Sequence, residues 1–348
     1  GYSGDSGTRV RFRTFGAGPF SFTAAFASCA GGTRLVPISH VSNSGVFAAI
    51  AAIDPHVFIH MGDFHYYNLT GAARPLDPLM GRFRRALDRV LSQEQQALLY
   101  RRTPIVYMWD DHDYGQNDSD GNSPTRDAAR AYYATDVPHY PLPLGDHADG
   151  PITQTFDIGR VRFVVTDSRS ERKPGERTML GTAQFKWLID ELGRAASDHV
   201  PLLVWVNPVP WITRDGDGDG WGMFAAERRA IGERIATLGI GNRLLMMSGD
   251  AHMLAFDDGR NNPHGGFVVA QAAPLDRFLN RKGGPYSHEP PQQKNGQFAV
   301  LRVDDTGDVL TATIEGHRHL GNGRSVVVPE TRLRMRCTGQ RCELQPLE

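Results

Sequence analysis

The sequence predicts an α/β fold whose sheets carry helices on their outer faces. Short runs of branched and aromatic residues alternate with amphipathic stretches over about the first 250 residues, and from Phe267 on strands follow one another without a helix. A third pattern concerns function. The apolar runs repeatedly end in a thiol, carboxylate or amide, and in α/β sheets the carboxyl ends of strands are where sites are built.

The 348 residues, 40% of them hydrophobic, suffice for a large core. No repeat, low-complexity tract or long linker divides them, so one domain over 1–348 is expected, strand-rich from about 267. Lys plus Arg number 38 against 39 Asp plus Glu. That net charge of -1 sets up no polyanion-seeking field, and no nucleic-acid-binding surface is evident. No apolar run is long enough to span a membrane, and no basic-then-apolar leader opens the chain, although a cleaved leader would leave no trace. Cys337 and Cys342 flank a Thr-Gly turn that can bring their sulfurs together, which favours a disulfide and a periplasmic or secreted protein. Cys29 stands alone; a small buried hydrophobe is the commoner role for such a residue.

In chain order, Phe22 to Gly32 reads as a buried strand running into a glycine turn, with Cys29 at the strand's carboxyl end, and a helix follows from about Ser44 to Ile53. Val57 to Met61 is a strand broken by Gly62, so that Asp63 emerges beside Cys29. Phe83, Leu87, Val90 and Leu91 recur at helical spacing within a helix expected from about Leu79 to Tyr100. Pro104 to Met108 is a strand, and Trp109 to Asp118 after it crowds four carboxylates and an imidazole onto what reads as a loop. A hairpin turning at Ile158-Gly159-Arg160 ends at Asp167, and Thr182 to Arg194 reads as a helix capped by Thr182. The strand Leu202 to Val206 ends at Asn207, a helix spans Ala225 to Leu238, and the strand from Leu244 ends in Gly249-Asp250-Ala251-His252.

Six strands thus end in Cys29, Asp63, Asp111, Asp167, Asn207 and Asp250. Clustered carboxylates repel one another unless they are solvated or share a cation, and a bridging carboxylate can hold two cations that turn a shared water into a hydroxide nucleophile. Asp63 is the expected bridge. Asp111, Asn207 and Asp250 supply oxygens suited to Ca2+, Mg2+ or Mn2+, whereas Cys29 and His252 suit iron or Zn2+. His112 is placed as a proton donor or phosphate contact, its charged form favoured by Asp113 and Asp118.

Cys29, Gly62-Asp63 with Tyr66 and Tyr67 behind it, Trp109-Asp110-Asp111-His112-Asp113 and Gly249-Asp250-Ala251-His252 together resemble the alkaline phosphatase D (PhoD-like) branch of the metallophosphoesterases. The resemblance implies a four-layer αββα sandwich and an exported enzyme that hydrolyses small phosphate mono- or diesters at a centre of Fe3+ and Ca2+, with Cys29 binding iron. A phospholipase D-like phosphodiesterase of the same family is the alternative. Against the wider superfamily, Cys29 replaces an Asp-x-His motif, and Asp111 and Asp250 stand where Asn and His are common. In the branch a tyrosine can ligate iron. The corresponding helix here carries Arg82, Phe83 and Arg84, so either Tyr66 takes that role or it packs beside the site. Because Cys29 lies near the start, the large amino-terminal domain of some relatives is expected to be absent.

Arg169 and Arg172 are candidates to clamp a phosphate with their planar forks. His65, Asn117 and Trp221 are expected to line the substrate pocket, Trp221 at its rim. Asp215, Asp217 and Asp219 match half of a calcium loop but read better as a flexible polar loop. His139, His147, His317 and His319 have no evident partner. Two other classes compete: a hydrolase using Cys29 as nucleophile with His112 or His252 as base, and a calcium-stabilised binding module built on the Asp215 loop.

Overall fold

The computed structural model describes residues 14–32, 40–70, 76–145, 149–291 and 294–346; His147 lies outside them. Along the chain run β1 (Phe22–Ala27), α1 (Val46–Ala52), β2 (Val57–Met61), α2 (Leu76–Leu91), α3 (Glu94–Tyr100), β3 (Ile105–Met108), α4 (Asp111–Tyr114) and α5 (Arg126–Asp136). Then come β4 (Gln154–Ile158), β5 (Val161–Val165), α6 (Gly181–Ser197), β6 (Leu202–Asn207), α7 (Ala225–Leu238), β7 (Leu244–Ser248), β8 (Leu254–Asp257) and β9 (Val268–Ala272). The chain closes with β10 (Gln297–Asp305), β11 (Val309–Gly321), β12 (Arg324–Thr338) and β13 (Arg341–Gln345).

Two sheets result, in the orders β13-β12-β11-β10-β1-β2-β3 and β4-β5-β6-β7-β9-β8. Alternation along the strands stacks them into four layers. Phe22, Ala24 and Phe26 of β1 and Leu202, Val204 and Val206 of β6 face a shared core between the sheets. Their neighbours face outward. Ala25 and Ala27 pack under Val46, Phe47 and Ile50 of α1, and Leu203 and Trp205 pack under Leu188 of α6 and Ile231 of α7. Helices therefore cover both outer faces, giving the αββα sandwich. The strand-rich last part extends the first sheet, since β10 pairs antiparallel with β1. Cys337 and Cys342 face each other on β12 and β13 and are disulfide-bonded.

Position of the site follows from strand direction. β1, β2 and β3 are mutually parallel, as are β5, β6, β7 and β9, so each sheet gathers several strand carboxyl ends along one edge.

Three helical details differ from the sequence reading. The helix expected over Leu79–Tyr100 is two, broken at Gln93, whose ψ of 128° is extended. Phe83 and Val90 of α2 serve the inter-sheet core while Leu99 of α3 serves the cluster under α1, and one straight helix cannot reach both. α5, unexpected from apolar spacing, buries Ala128, Ala129, Tyr132 and Tyr133, small and aromatic residues that give a weak periodic signal. Leu180 rather than Thr182 precedes the first turn of α6.

Candidate metal centre

The acidic stretch after β3 is a single helical turn, not an open loop. Asp110 caps it and Asp113 reaches back in a reciprocal capping box. Asp113 also accepts from the Phe64 N–H at 2.9 Å and the Tyr107 hydroxyl at 2.8 Å, and Asp110 is ion-paired with the buried guanidinium of Arg169. Of the three acids in Trp109–Asp113, Asp111 alone is turned to the centre. Burial works against its charge, but Arg169 and His112 hold it below the usual carboxylate range.

Cys29, Asp63 and Asp250 all leave their strands in the left-handed region, with φ of 65°, 55° and 59°. Residues with a Cβ rarely stay there unless the surroundings over-determine them. Here backbone bonds do so: the Cys29 N–H donates to Gly62 O at 3.2 Å and the Ala30 N–H to Asp63 O at 2.8 Å. The preceding glycines allow the approach. A Cβ on Gly62 would lie 2.4 Å from the Asp110 Cβ, and one on Gly249 would lie 2.6 Å from the Ser28 Oγ. That contact is why Gly-Asp recurs.

Ligand atoms of Cys29, Asp63 and His252 lie within 4.8 Å of one another, as do those of Asp63, Asp111 and His112. Asp63 belongs to both groups, the position expected of a bridge. The Tyr66 hydroxyl donates to Asp63 Oδ2 at 2.6 Å and lies 3.1 Å from His252 Nε2, so Tyr66 is in the cluster rather than beside it. His252 Nδ1 donates to the carbonyl of Phe278 at 2.5 Å, which leaves the Nε2 lone pair aimed at Cys29 and Asp63.

The donor set asks for cations. Burial, and then the charge of Asp63, push the Cys29 thiol well up; burial, and then Asp111 and Asp110, do the same to Asp63. Burial lifts Asp250 to about 7 although Lys282 opposes it. Each shift disfavours the charged form, which a bound cation would favour. A buried thiol pushed upward is the reverse of an activated nucleophile. Asn207 Oδ1 and Asp111 Oδ1 are both buried and accept no hydrogen bond among the described residues, while the Asn207 amide is steadied by donating to Val209 O at 2.6 Å. A buried acceptor left unsatisfied is costly, and a metal ion is one of the few partners that explains it.

His112 stacks near Tyr66, ring centroids 4.2 Å apart, and its Nδ1 is hydrogen-bonded to Asn68. Its Nε2 lies 3.9 Å from Asp111 Oδ1. The expectation of a charged imidazole is not met. Asp113 is committed elsewhere, and burial lowers His112 to about 4, with Asp111 opposing and the charge of Arg277 adding to the fall. His65 is buried, lowered to about 3 by burial, and accepts from the Tyr67 N–H at 3.4 Å.

Other expected residues lie elsewhere. Arg169 is fully buried between Asp110 and Asp219, and Arg172 is bound to Asp219 at 2.8 Å, so neither fork is open to a phosphate. Asp167 is a structural hub, accepting from Trp109 Nε1 at 2.9 Å and from the backbone N–H groups of Arg169 and Ser170. Trp221 is in the core against Trp205 and Trp211 instead of at a rim. Asn117 is exposed and lines a cavity of about 300 Å³ with Asp118 and Thr70. In the Asp215 loop, Asp215 pairs with Arg228 and Asp219 with the two arginines, Glu227 accepts the Met179 and Leu180 N–H groups, and a carboxylate oxygen of Asp219 lies within 4.8 Å of one on Asp111 and one on Asp118. Asp250 is held at 3.0 Å by Lys282, a cation that no strand-end pattern reveals because it lies in the long connection before β10. Asn68 and Ser28, whose Oγ is 3.2 Å from Cys29 Sγ, are also invisible to motif reading.

A four-layer sandwich with thiol, carboxylate, amide and imidazole at facing strand ends defines a metallophosphoesterase-type fold. The family model described as PhoD-like phosphatase matches residues 24–272, and the chain belongs to that family. It is similar to the solved structure described as "Structure of PhoD" (17% identity, TM-score 0.65, 97% of this chain and 74% of the other covered). It is also similar to purple acid phosphatase PPD1 from yellow lupin (Lupinus luteus) seeds (12%, TM-score 0.61, 95% and 57%). At these identities the likeness is one of fold. No curated protein matches the sequence.

Proposed function

We propose that this protein is an exported hydrolase of small phosphate mono- or diesters that works with two cations. Cys29, Asp63, Tyr66 and His252 would hold one, with iron or zinc suited to that set; Asp63, Asp111, Asn207 and Asp250 would hold a harder ion such as calcium. The observation that carries the reading is a pair of buried, unsatisfied oxygens: Asp111 Oδ1, on a residue grouped with Asp63, and Asn207 Oδ1, at the end of β6 opposite Ser248, two residues before Asp250. Such ions, when bound, supply Lewis acidity that lowers the pKa of a water and offsets the charge of the phosphoryl group.

The chain's own groups do the rest. Asp63, fixed by Tyr66 and by the His112 N–H at 3.3 Å, is the carboxylate that would be shared by the two ions. His112, oriented by Asn68, presents Nε2 to the substrate. Its imidazole rests neutral, and an anionic phosphate bound against it raises its affinity for the proton that the leaving oxygen requires. The shared first sheet supports a single domain, and the disulfide supports a periplasmic or secreted location.

The test is elemental analysis of the purified protein together with turnover of p-nitrophenyl phosphate and its bis ester. Stoichiometric metal and hydrolysis of at least one ester are expected, both lost in Asp63→Ala. Undiminished hydrolysis in a chelated, metal-free sample would overturn the reading.

A further inference from the structure

We propose that Arg277 is the residue that grips the non-bridging oxygens of the substrate's phosphate, the role for which Arg169 and Arg172 are not free. The inference rests on the reading of the site as a phosphoesterase centre and adds a specific contact to it.

Four cationic side chains stand near the centre, and charge bookkeeping separates them. Arg169 is saturated by Asp110 and Asp219, Arg172 by Asp219, and Lys282 by Asp250. Arg277 is different. Its guanidinium carbon lies 4.0 Å from the centroid of the Tyr66 ring, and among the described residues no carboxylate pairs with it. The ring it covers carries the hydroxyl bonded to Asp63 and close to His252, so the guanidinium overhangs the ligand cluster.

The backbone on either side is stitched to that cluster. The Leu275 and Asp276 N–H groups donate to Ser28 O at 3.0 Å and Cys29 O at 3.1 Å, and the Phe278 carbonyl accepts from His252 Nδ1. Asp276 itself is taken by the Ser42 hydroxyl at 2.7 Å. Arg277 is thus held between residues anchored to two of the ligands, while Phe278 and Leu279 beyond it are 53% and 43% exposed. The side chain is half-buried at the mouth, reachable from solvent and fixed over the centre. A pre-positioned planar fork with no internal counter-charge is suited to bidentate recognition of a phosphate, and stacking on Tyr66 keeps it aimed without neutralising it.

The decisive experiment measures inorganic phosphate binding by titration calorimetry on the purified, metal-replete protein, with KM, kcat and metal content determined in parallel, for wild type, Arg277→Gln and Arg277→Lys. Expected are phosphate affinity weakened and KM raised by about ten- to a hundredfold in Arg277→Gln, partial recovery in Arg277→Lys, and unchanged metal content. Unaltered phosphate affinity in Arg277→Gln would overturn the assignment, and so would a loss that tracks falling metal content, which would mean that Arg277 supports Tyr66 instead. A wild-type protein without metal or ester hydrolysis would refute the phosphoesterase reading itself, a separate outcome.

Discussion

Gly249, after β7, packs against Ser28, after β1, so closely that any side chain there would meet the serine hydroxyl at 2.6 Å. The contact joins the edges of the two sheets one residue away from Asp250 and Cys29. Gly249→Ala is therefore expected to cost about 1–3 kcal/mol in urea denaturation, the usual range for overpacking a core. It should also spread the ligand cluster and lower metal content. Full metal occupancy in a destabilised variant would show that the centre tolerates the shift.

Asn207→Leu separates stability from function. The substitution removes a buried acceptor without a partner and one amide bond to the Val209 carbonyl, which keeps the Ser248 hydroxyl at 3.0 Å, so the metal-free variant is expected to stay within about 1 kcal/mol of wild type. Adding calcium should raise the melting temperature of wild type and leave the variant unmoved, with turnover down at least about a hundredfold. A calcium-induced rise equal to that of wild type would remove Asn207 from the ligand set.

Arg169→Gln should behave oppositely to the Arg277 variants. It leaves Asp110 without its buried counter-charge, while Asp219 keeps Arg172 and Lys282, and losing one partner of such an arrangement costs about 3–5 kcal/mol. Thermal unfolding would register this directly, and a stable Arg169→Gln protein would contradict the structural role.

Cation binding should release protons, because burial and nearby carboxylates push Cys29 and Asp63 up while ligation requires their deprotonated forms. Calorimetric titration in two buffers of different ionisation enthalpy measures the release; identical heats in both would argue against it.

His60 supplies a pH test far from substrate. It is buried among Phe58, Phe64 and Tyr107 with neither ring nitrogen hydrogen-bonded among the described residues, and burial lowers it to about 3. The unfolded chain then binds a proton below about 6.5 that the folded chain refuses, so stability falls with pH between those values, by roughly 2 kcal/mol from pH 6.5 to 5. His60→Phe should flatten that part of the acid limb in denaturation curves taken at several pH values, and an unchanged slope would assign it to other groups.

The outline of the fold was legible because periodicity reports burial. Branched runs such as Val57–Met61 and Leu244–Ser248 are buried on both faces, and the regular helix Ala225–Leu238 occupies its expected span. Gln93, where two helices divide, and α5, whose buried face is alanine and tyrosine, were not legible, since both depend on which neighbouring layer each face meets.

The site divides in the same way. The sequence by itself determined the kinds of donor at the strand ends, thiol, carboxylate, amide and imidazole, and with them the class of chemistry. Only the tertiary structure decided which donors are free. Asp113 and Asp167 look no different from Asp111 along the chain, yet each is consumed by partners such as Phe64 and Trp109, Asp110 is ion-paired with Arg169 through one oxygen, and Arg277 reaches the centre from a segment with no motif. The physical reason is that a polar group's role depends on what else satisfies it, and those partners are brought in by folding from distant parts of the chain.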